Sequence, residues 1–198
     1  HVESLTGFPA FHHGFVEVPV DRLTDKGYAA EMAAAIPRDR ARASAELGAA
    51  ILSPPESEET THYSVVDGDG NAVSTTYTIE AGFGAKVVAD GTGFLLNNEM
   101  GDFNEWPGVT DARGSIGTEP NRIAPGKRPL SSMTPTILAR DGRPVALIGS
   151  PGGKTIINTV LRVISGLADH GLSLPDAVDL PRVHHQWMPD RLRLEDGV

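Results

Sequence analysis

Thr60 lies where an acidic, proline-broken segment meets a strand-like sequence. Residues 53–59 read Ser-Pro-Pro-Glu-Ser-Glu-Glu, which is too polar to offset the entropy of ordering the segment. If the chain were cut between Glu59 and Thr60, the threonine would carry a free α-amino group beside its own hydroxyl. An α-amine has a pKa near ~8, so part of it is unprotonated at neutral pH and can act as a base. A threonine hydroxyl activated by its own amine is a nucleophile for acyl transfer.

The same junction also fits a strand-edge threonine without chemistry, and taken alone it favours that interpretation. Polar and apolar residues alternate on both sides of the glycine-rich turn 67–71, which predicts a β-hairpin from about Tyr63 to Tyr77. Whether the threonine reacts must be decided from the rest of the sequence.

A glycine-rich turn at 149–153 opens a predicted helix and offers a second kind of chemistry. Strand, glycine turn and Gly-Lys-Thr match the layout of a phosphate-binding loop, but three residues separate Gly149 from Gly153 where that motif needs four. Pro151 also removes one backbone donor, so we reject nucleotide binding. Two interpretations of Gly152-Gly153 remain: amides that hold an oxyanion at a helix start, or a plain tight turn.

Two further groups of polar side chains stand in loops. Glu99 and Asp102 are carboxylates three residues apart in a polar loop, and Ser131-Ser132 form a serine pair. A solvated loop would also explain the acids, and a turn would also explain the serines.

Metal and redox chemistry have little support in the sequence. His12-His13 could form a metal pair, but adjacent side chains point apart on a strand and no third ligand is evident nearby. We interpret both as surface residues and expect neither a metal ion nor a cofactor. The absence of cysteine excludes disulfides, thiolate metal sites and cysteine catalysis, and fits either the cytosol or the periplasm.

Composition narrows the class of protein further. The 198 residues suffice for one domain with a sizeable core, and no apolar run approaches the ~20 residues of a membrane span. A net charge of −9 argues against non-specific binding of nucleic acid or of an anionic membrane surface. Because the chain begins at His1, we take it as a processed or partial product from which any targeting segment would be lost.

Local patterns predict the elements that must position these groups. Apolar residues around Asp141-Gly142 predict a second hairpin over 136–148. A wide apolar face predicts a helix from about Lys154 to His170, with Gly171 as its C-cap.

The remaining segments carry weaker signals. We expect Thr24 to cap a helix over 26–35 that Pro37 ends, and Phe94-Leu95-Leu96 to form a short buried strand. Further elements are an extended piece over 16–20, a short helix from Pro175 to Val178, and closing strands over 183–186 and 192–194. The loop 104–127 is long for a structureless connection, which is typical of a lid, a binding loop or a disordered segment.

Five motifs in this order resemble the small subunit of the gamma-glutamyltransferases, also called glutathione hydrolases. They are Thr60–Asp67 (TTHYSVVD), Leu95–Met100 with Asp102-Phe103 (LLNNEM, DF), Arg128–Met133 (RPLSSM), Gly149–Gly153 (GSPGG) and Pro181–Gln186 (PRVHHQ). The resemblance covers 60–198 almost without gaps. Residues 1–59 are similar, more loosely, to the tail of the family's large subunit.

The resemblance implies an α+β fold, the four-layer αββα sandwich of N-terminal-nucleophile hydrolases, incomplete in this chain. It also implies a precursor that cuts itself between Glu59 and Thr60. Thr60 would then attack a γ-glutamyl amide such as glutathione. Thr78 would hydrogen-bond Thr60 and support it, and Gly152 and Gly153 would hold the oxyanion. Water, or the amine of an amino acid or peptide, would accept the glutamyl group from the acyl-enzyme.

The resemblance further implies how the glutamyl head is bound. Glu99 and Asp102 would bind its α-ammonium, and Ser131 and Ser132 would donate hydrogen bonds to its α-carboxylate. Glu80 stands where the family often has asparagine; its carboxylate would contact the ammonium but repel the substrate carboxylate, which leaves the substrate preference open.

The family's missing large-subunit portion, which carries an arginine for the carboxylate, is the expected partner in a heterodimer. Without it we expect low activity and exposed apolar edges. The family expectation for location is periplasmic or secreted. Two alternatives remain: an acylase of the same fold acting on β-lactam side chains or a γ-linked polymer, and a non-catalytic fragment or binding module.

Overall fold

The computed structural model describes residues 19–46, 59–103, 121–187 and 189–198. Several expectations lie outside these ranges: the His12-His13 pair, most of the extended piece over 16–20, most of the acidic segment 53–59, and residues 104–120 of the long loop. The described residues contain both helices and strands, which confirms the α+β class.

Two short helices open the described chain, α1 (Val20–Thr24) and α2 (Lys26–Ala34). The predicted cap at Thr24 is wrong, because Thr24 belongs to α1 and its hydroxyl donates to the Val20 carbonyl at 2.9 Å. Asp25 caps α2 instead: its carboxylate accepts a 2.7 Å hydrogen bond from the Tyr28 amide. The helix ends before Pro37, as predicted.

The first hairpin consists of β1 (Thr60–Val66) and β2 (Ala72–Thr78), which pair antiparallel from Thr60 opposite Thr78 to Val66 opposite Ala72. Asp67 organises the turn, since its Oδ1 accepts from the amides of Asp69 at 2.9 Å and Asn71 at 2.8 Å. The predicted hairpin is confirmed, and its register places Thr60 and Thr78 at the open end.

A second hairpin and two helices enclose the core. The hairpin consists of β3 (Thr136–Arg140) and β4 (Arg143–Ile148), and the helices are α3 (Thr155–Ala168) and α4 (Leu174–Asp179). The buried cluster joins β4, α3 and α4 and contains Ala146, Ile148, Ile156, Val160, Val163 and Ala177. These elements lie where the periodicity predicts them, because each has an apolar face that the cluster buries. The predicted C-cap at Gly171 is wrong, because α3 has its C-cap at Asp169; Gly171 lies two residues further on, where the chain turns with a positive φ of 64°.

The last strands are shorter than predicted: β5 (Val183–His184) pairs with β6 (Arg193–Leu194). The predicted buried strand over Phe94-Leu95-Leu96 is wrong. Phe94 is 72% exposed, and the segment makes only an isolated bridge from Leu95 to Val88. Three apolar residues in a row do not determine whether a neighbouring element covers them.

A polar contact joins the N-terminal segment to the C-terminal one. The backbone amide of Ser44, a residue only 1% exposed, donates to Asp190 Oδ2 at 3.0 Å. The Trp187 indole Nε1 donates to the Ser44 carbonyl at 2.8 Å. Hydrogen bonds from the Ser44 backbone and from His185 hold the pKa of Asp190 below its usual range. We call this group the Ser44–Trp187 contact.

The described residues form three two-stranded sheets. The first hairpin lies beside the second, and Ser74 Oγ donates to the Ile148 carbonyl at 3.2 Å. Alternate residues of the first hairpin, Tyr63, Val65, Val73 and Tyr77, are each more than half exposed. This apolar exposure agrees with a sandwich that needs further elements. None of the described helices combines the length and apolar character that crossing a bilayer requires.

Candidate active site

Thr60 and Thr78 face each other at the open end of the first hairpin. The Thr78 hydroxyl donates to the carbonyl oxygen of Glu59 at 3.1 Å, and its oxygen accepts from the Glu80 amide at 2.9 Å. The Glu80 amide fixes the position of the hydroxyl oxygen, so the hydroxyl hydrogen points at the peptide bond that precedes Thr60. This hydrogen bond polarises that carbonyl group.

While the Glu59–Thr60 bond is unbroken, the nitrogen of Thr60 is an amide and cannot serve as a base. The Glu59 carbonyl, which accepts from Thr78, thus lies directly before the half-buried residue Thr60.

Gly152 and Gly153 have positive φ values of 122° and 54°, which only glycine adopts readily. Their carbonyls are fixed: Thr155 Oγ1 donates to the Gly152 carbonyl at 2.7 Å, and Ser132 Oγ donates to the Gly153 carbonyl at 3.0 Å. Neither amide donates a hydrogen bond to any residue in the described ranges. The turn thus holds its carbonyls and leaves two adjacent donors at the start of α3, as an anion-binding site requires.

His62 connects β1, the strand that begins at Thr60, to this turn. A Cβ built at Gly149 would lie 2.6 Å from His62 Cγ, so the imidazole ring rests against the Gly149 backbone. The ring is held by Thr76 Oγ1 at 2.9 Å from Nδ1 and by Ser64 Oγ at 3.3 Å from Nε2. Burial lowers the pKa of His62, which favours the neutral ring. Thr60 lies two residues before His62, so this contact brings the two ends of the site together.

Three carboxylates meet in the loop after β2. Glu80 has a left-handed φ of 70°, and a Cβ built at Gly101 would lie 2.8 Å from its carboxyl carbon. Burial is the main cause that raises the pKa of Glu99; the nearby charge of Glu80 adds to the rise, and a hydrogen bond with Asp102 opposes it. Glu99 Oε1 is buried and accepts no hydrogen bond from the described residues. The structure therefore brings Glu80, Glu99 and Asp102 together, as a cationic ligand would need.

The serine pair lies next to the glycine turn, and Asn121 links the segment before the pair to the acid-bearing loop. Ser132 donates to the Gly153 carbonyl, and Ser131 Oγ accepts from the Met133 amide at 3.1 Å. Asn121, which is 3% exposed, connects this segment to the acids: its Nδ2 donates to the Asp102 carbonyl at 2.6 Å, and its Oδ1 accepts from the Leu130 amide at 3.0 Å.

Sequence reasoning missed His62 and Asn121 as residues of the site. His62 stands within the TTHYSVVD motif, so its position two residues after Thr60 on an alternating strand was an available signal. Asn121 lies within the long loop 104–127 and has no local pattern that distinguishes it.

Other histidines belong to a different region. Asn158 Nδ2, on α3, donates to His184 Nδ1 at 3.0 Å and to the His185 carbonyl at 3.1 Å. Among the described residues, no cluster of three His, Asp or Glu side chains is arranged to hold a metal ion.

The sequence matches a known family. The family model described as Gamma-glutamyltranspeptidase matches residues 11–198. The chain is 50% identical over 183 residues to the glutathione hydrolase proenzyme of Escherichia coli (strain K12), covering 92% of this chain and 32% of that protein. It is 43% identical over 185 residues to the Acylase ACY 1 proenzyme of Pseudomonas sp. (strain V22), covering 93% of this chain and 30% of that protein. The chain spans about a third of the length of these relatives.

Solved structures agree with the family match. A mutant gamma-glutamyltranspeptidase of Helicobacter pylori superposes with a TM-score of 0.63 at 52% identity, covering 68% of this chain and 72% of that chain. The gamma-glutamyltranspeptidase from Pseudomonas nitroreducens complexed with L-DON gives a TM-score of 0.61 at 51% identity, covering 65% of this chain and 67% of that chain.

Proposed function

Because this chain belongs to the gamma-glutamyltranspeptidase family and has the fold of the N-terminal-nucleophile hydrolases, we propose that it carries the catalytic groups of a γ-glutamyl hydrolase and transferase. One observation supports this most: the Thr78 hydroxyl donates to the carbonyl of Glu59, the residue before the nucleophile. A hydrogen bond to this carbonyl oxygen makes the carbonyl carbon of Glu59 easier for the Thr60 hydroxyl to attack.

Maturation begins at this carbonyl. Thr60 Oγ adds to the carbonyl carbon of Glu59 and loses its proton, while Thr78 stabilises the oxyanion that forms. The C–N bond then breaks, the nitrogen gains a proton, and the acyl group rests on Oγ as an ester. Water hydrolyses the ester, which leaves a carboxylate on Glu59 and a free α-amine on Thr60.

Turnover uses the amine that maturation releases. The α-amine of Thr60 takes the proton of its own hydroxyl as Oγ attacks the γ-carbonyl of a donor such as glutathione. The amides of Gly152 and Gly153 receive the oxyanion. The leaving amine departs with a proton, and water or the amine of an amino acid or peptide then takes the glutamyl group.

The donor's head is bound by the two polar groups that flank the turn. Glu80, Glu99 and Asp102 hold the α-ammonium, and the hydroxyls of Ser131 and Ser132 turn to the α-carboxylate. In the structure Ser132 donates to Gly153, so donor binding redirects that hydroxyl.

Two subunits arise from the cut. Residues 1–59 form the tail of the large subunit and 60–198 the small catalytic subunit; the rest of the large subunit covers the exposed face of the first hairpin and completes the donor site. Periplasmic or secreted location follows the family expectation. The proposed chemistry uses no metal ion and no cofactor.

An acylase acting on β-lactam side chains or on a γ-linked polymer is the second candidate. The 43% identity to an acylase proenzyme and the carboxylate of Glu80 in the donor site favour it.

Mass spectrometry of the complete gene product, incubated with γ-glutamyl-4-nitroanilide, tests the proposal. We expect cleavage between Glu59 and Thr60 and a glutamyl adduct on the small subunit. Thr60→Ala removes both events, and Thr61→Ala, on the exposed neighbour, keeps both. Cleavage without glutamyl turnover favours the acylase, whereas turnover by Thr60→Ala contradicts the mechanism.

A further inference from the structure

Asn121 joins the two loops that the proposed function assigns to the donor's head. Its side-chain NH2 donates to the backbone of Asp102, in the ammonium loop, at 2.6 Å. Its side-chain oxygen accepts from the backbone of Leu130, next to the serine pair, at 3.0 Å. At 3% exposure, the side chain is nearly inaccessible to water, so water cannot readily replace either hydrogen bond.

An amide is the side chain that this position requires. The NH2 of an asparagine side chain donates hydrogen bonds and its oxygen accepts them, so one small amide group can join a carbonyl to an N–H. Aspartate has the same shape but would place an acceptor against the carbonyl of Asp102, and alanine would leave the groups at both ends unsatisfied. The two loops therefore keep their separation only with asparagine between them.

The donor's ammonium and carboxylate are attached to one carbon atom, so their separation is fixed. A site that binds both must hold its two loops to within ~0.5 Å of the matching separation. We propose that Asn121 is a positioning residue that sets this separation, and that it thereby selects donors with both charged groups over donors with only one. This inference rests on the proposed function.

A positioning role predicts that self-cleavage and donor binding respond differently to substitution of Asn121, which a purely structural role would not predict. Self-cleavage involves Glu59, Thr60 and Thr78 and no free glutamyl head, so Asn121 variants should process normally. Donor binding depends on both loops, so the same variants should bind donors weakly.

The test compares Asn121→Asp and Asn121→Ala with Asn158→Asp in the complete gene product. Asn158 is the matched control, because its amide also bridges two groups but does so at His184 and His185. We expect the Asn121 variants to raise KM for γ-glutamyl-4-nitroanilide by about 10- to 100-fold, the effect of an unsatisfied buried hydrogen bond, with kcat and the self-cleavage rate within about threefold of wild type. Asn158→Asp should leave KM unchanged.

A second donor tests selection directly. Glutaryl-4-nitroanilide lacks the α-ammonium, so its kcat/KM should be far below that of the γ-glutamyl compound in wild type. In Asn121→Asp the ratio between the two donors should fall by about tenfold, because the two loops no longer act on one head together.

The possible results distinguish a failure of the role of Asn121 from a failure of the proposed function. An active Asn121→Asp enzyme with wild-type KM and an unchanged donor ratio overturns the role of Asn121 alone. Loss of self-cleavage in both Asn121 variants, with Asn158→Asp unaffected, also overturns it, because the residue would then be structural. A wild-type protein that cleaves itself but does not turn over the γ-glutamyl anilide contradicts both the function and the inference.

Discussion

Replacing Gly149 by alanine should disturb the contact between β1 and the glycine turn. The added Cβ would lie 2.6 Å from His62 Cγ and closer still to Nδ1 and Cε1, whereas carbon atoms in contact stand ~3.5–4.0 Å apart. Because the nearest ring atoms decide the clash, the ring would have to move by about 1.5 Å, and the turn or the strand would have to move with it. A shift of that size breaks the 2.9 Å hydrogen bond with Thr76.

The expected loss of stability is the sum of the steric clash and the lost hydrogen bond. Overpacking a well-packed site costs about 1–3 kcal/mol. A lost hydrogen bond adds about 0.5–1.5 kcal/mol. We expect Gly149→Ala to lower the free energy of unfolding by about 2–4 kcal/mol and to shift the thermal midpoint of the complete gene product by several degrees.

A double-mutant cycle identifies the cause. His62→Ala removes the ring and makes room for the new methyl group, so His62→Ala/Gly149→Ala should melt above Gly149→Ala, with a coupling of about 1–3 kcal/mol. Gly68→Ala is the control, because a Cβ there meets nothing within 4 Å and its φ is not positive. Additivity of the two substitutions within about 0.5 kcal/mol would refute the steric reasoning.

Three other substitutions probe separate parts of the molecule. Thr78→Val removes the donor to the Glu59 carbonyl and should slow self-cleavage by about 100-fold in a gel time course; a wild-type rate would show that the hydrogen bond is not used. Burial raises the pKa of Glu99, so ionisation of this carboxyl destabilises the fold above that pKa. Glu99→Gln should therefore raise the thermal midpoint at neutral pH, and the gain should shrink as the pH falls towards 4.5, the ordinary pKa of the group. A gain in thermal midpoint that does not change with pH would contradict this. Trp187→Phe removes a donor worth ~1 kcal/mol from the Ser44 carbonyl and should speed hydrogen exchange at the Ser44 amide about fivefold; unchanged exchange would mean that other contacts hold the segment.

Sequence patterns correctly predicted the strands and helices that a single segment of sequence determines. The alternation on both sides of 67–71 predicted the hairpin, and the family resemblance paired Thr60 with Thr78. The apolar periodicity after Gly153 predicted α3. Both predictions are correct because the spacing of apolar side chains and the residues of the turn are visible within one segment of the sequence.

Long-range contacts were not predictable in this way. The ring of His62 against Gly149 and the bridge of Asn121 join segments far apart in sequence, and no pattern along either segment encodes its partner. The burial of Phe94 was predicted wrongly for the same reason. The cap at Thr24 failed differently: two nearby acceptors competed, and the carboxylate of Asp25 supplied the cap.

The Ser44–Trp187 contact spans the bond at which we propose that maturation cuts the chain, since Ser44 precedes Glu59 and both Trp187 and Asp190 follow Thr60. Its hydrogen bonds do not depend on whether the backbone is continuous between them. Gel filtration in native buffer should therefore give one elution volume before and after processing, and the two pieces should separate only in denaturant.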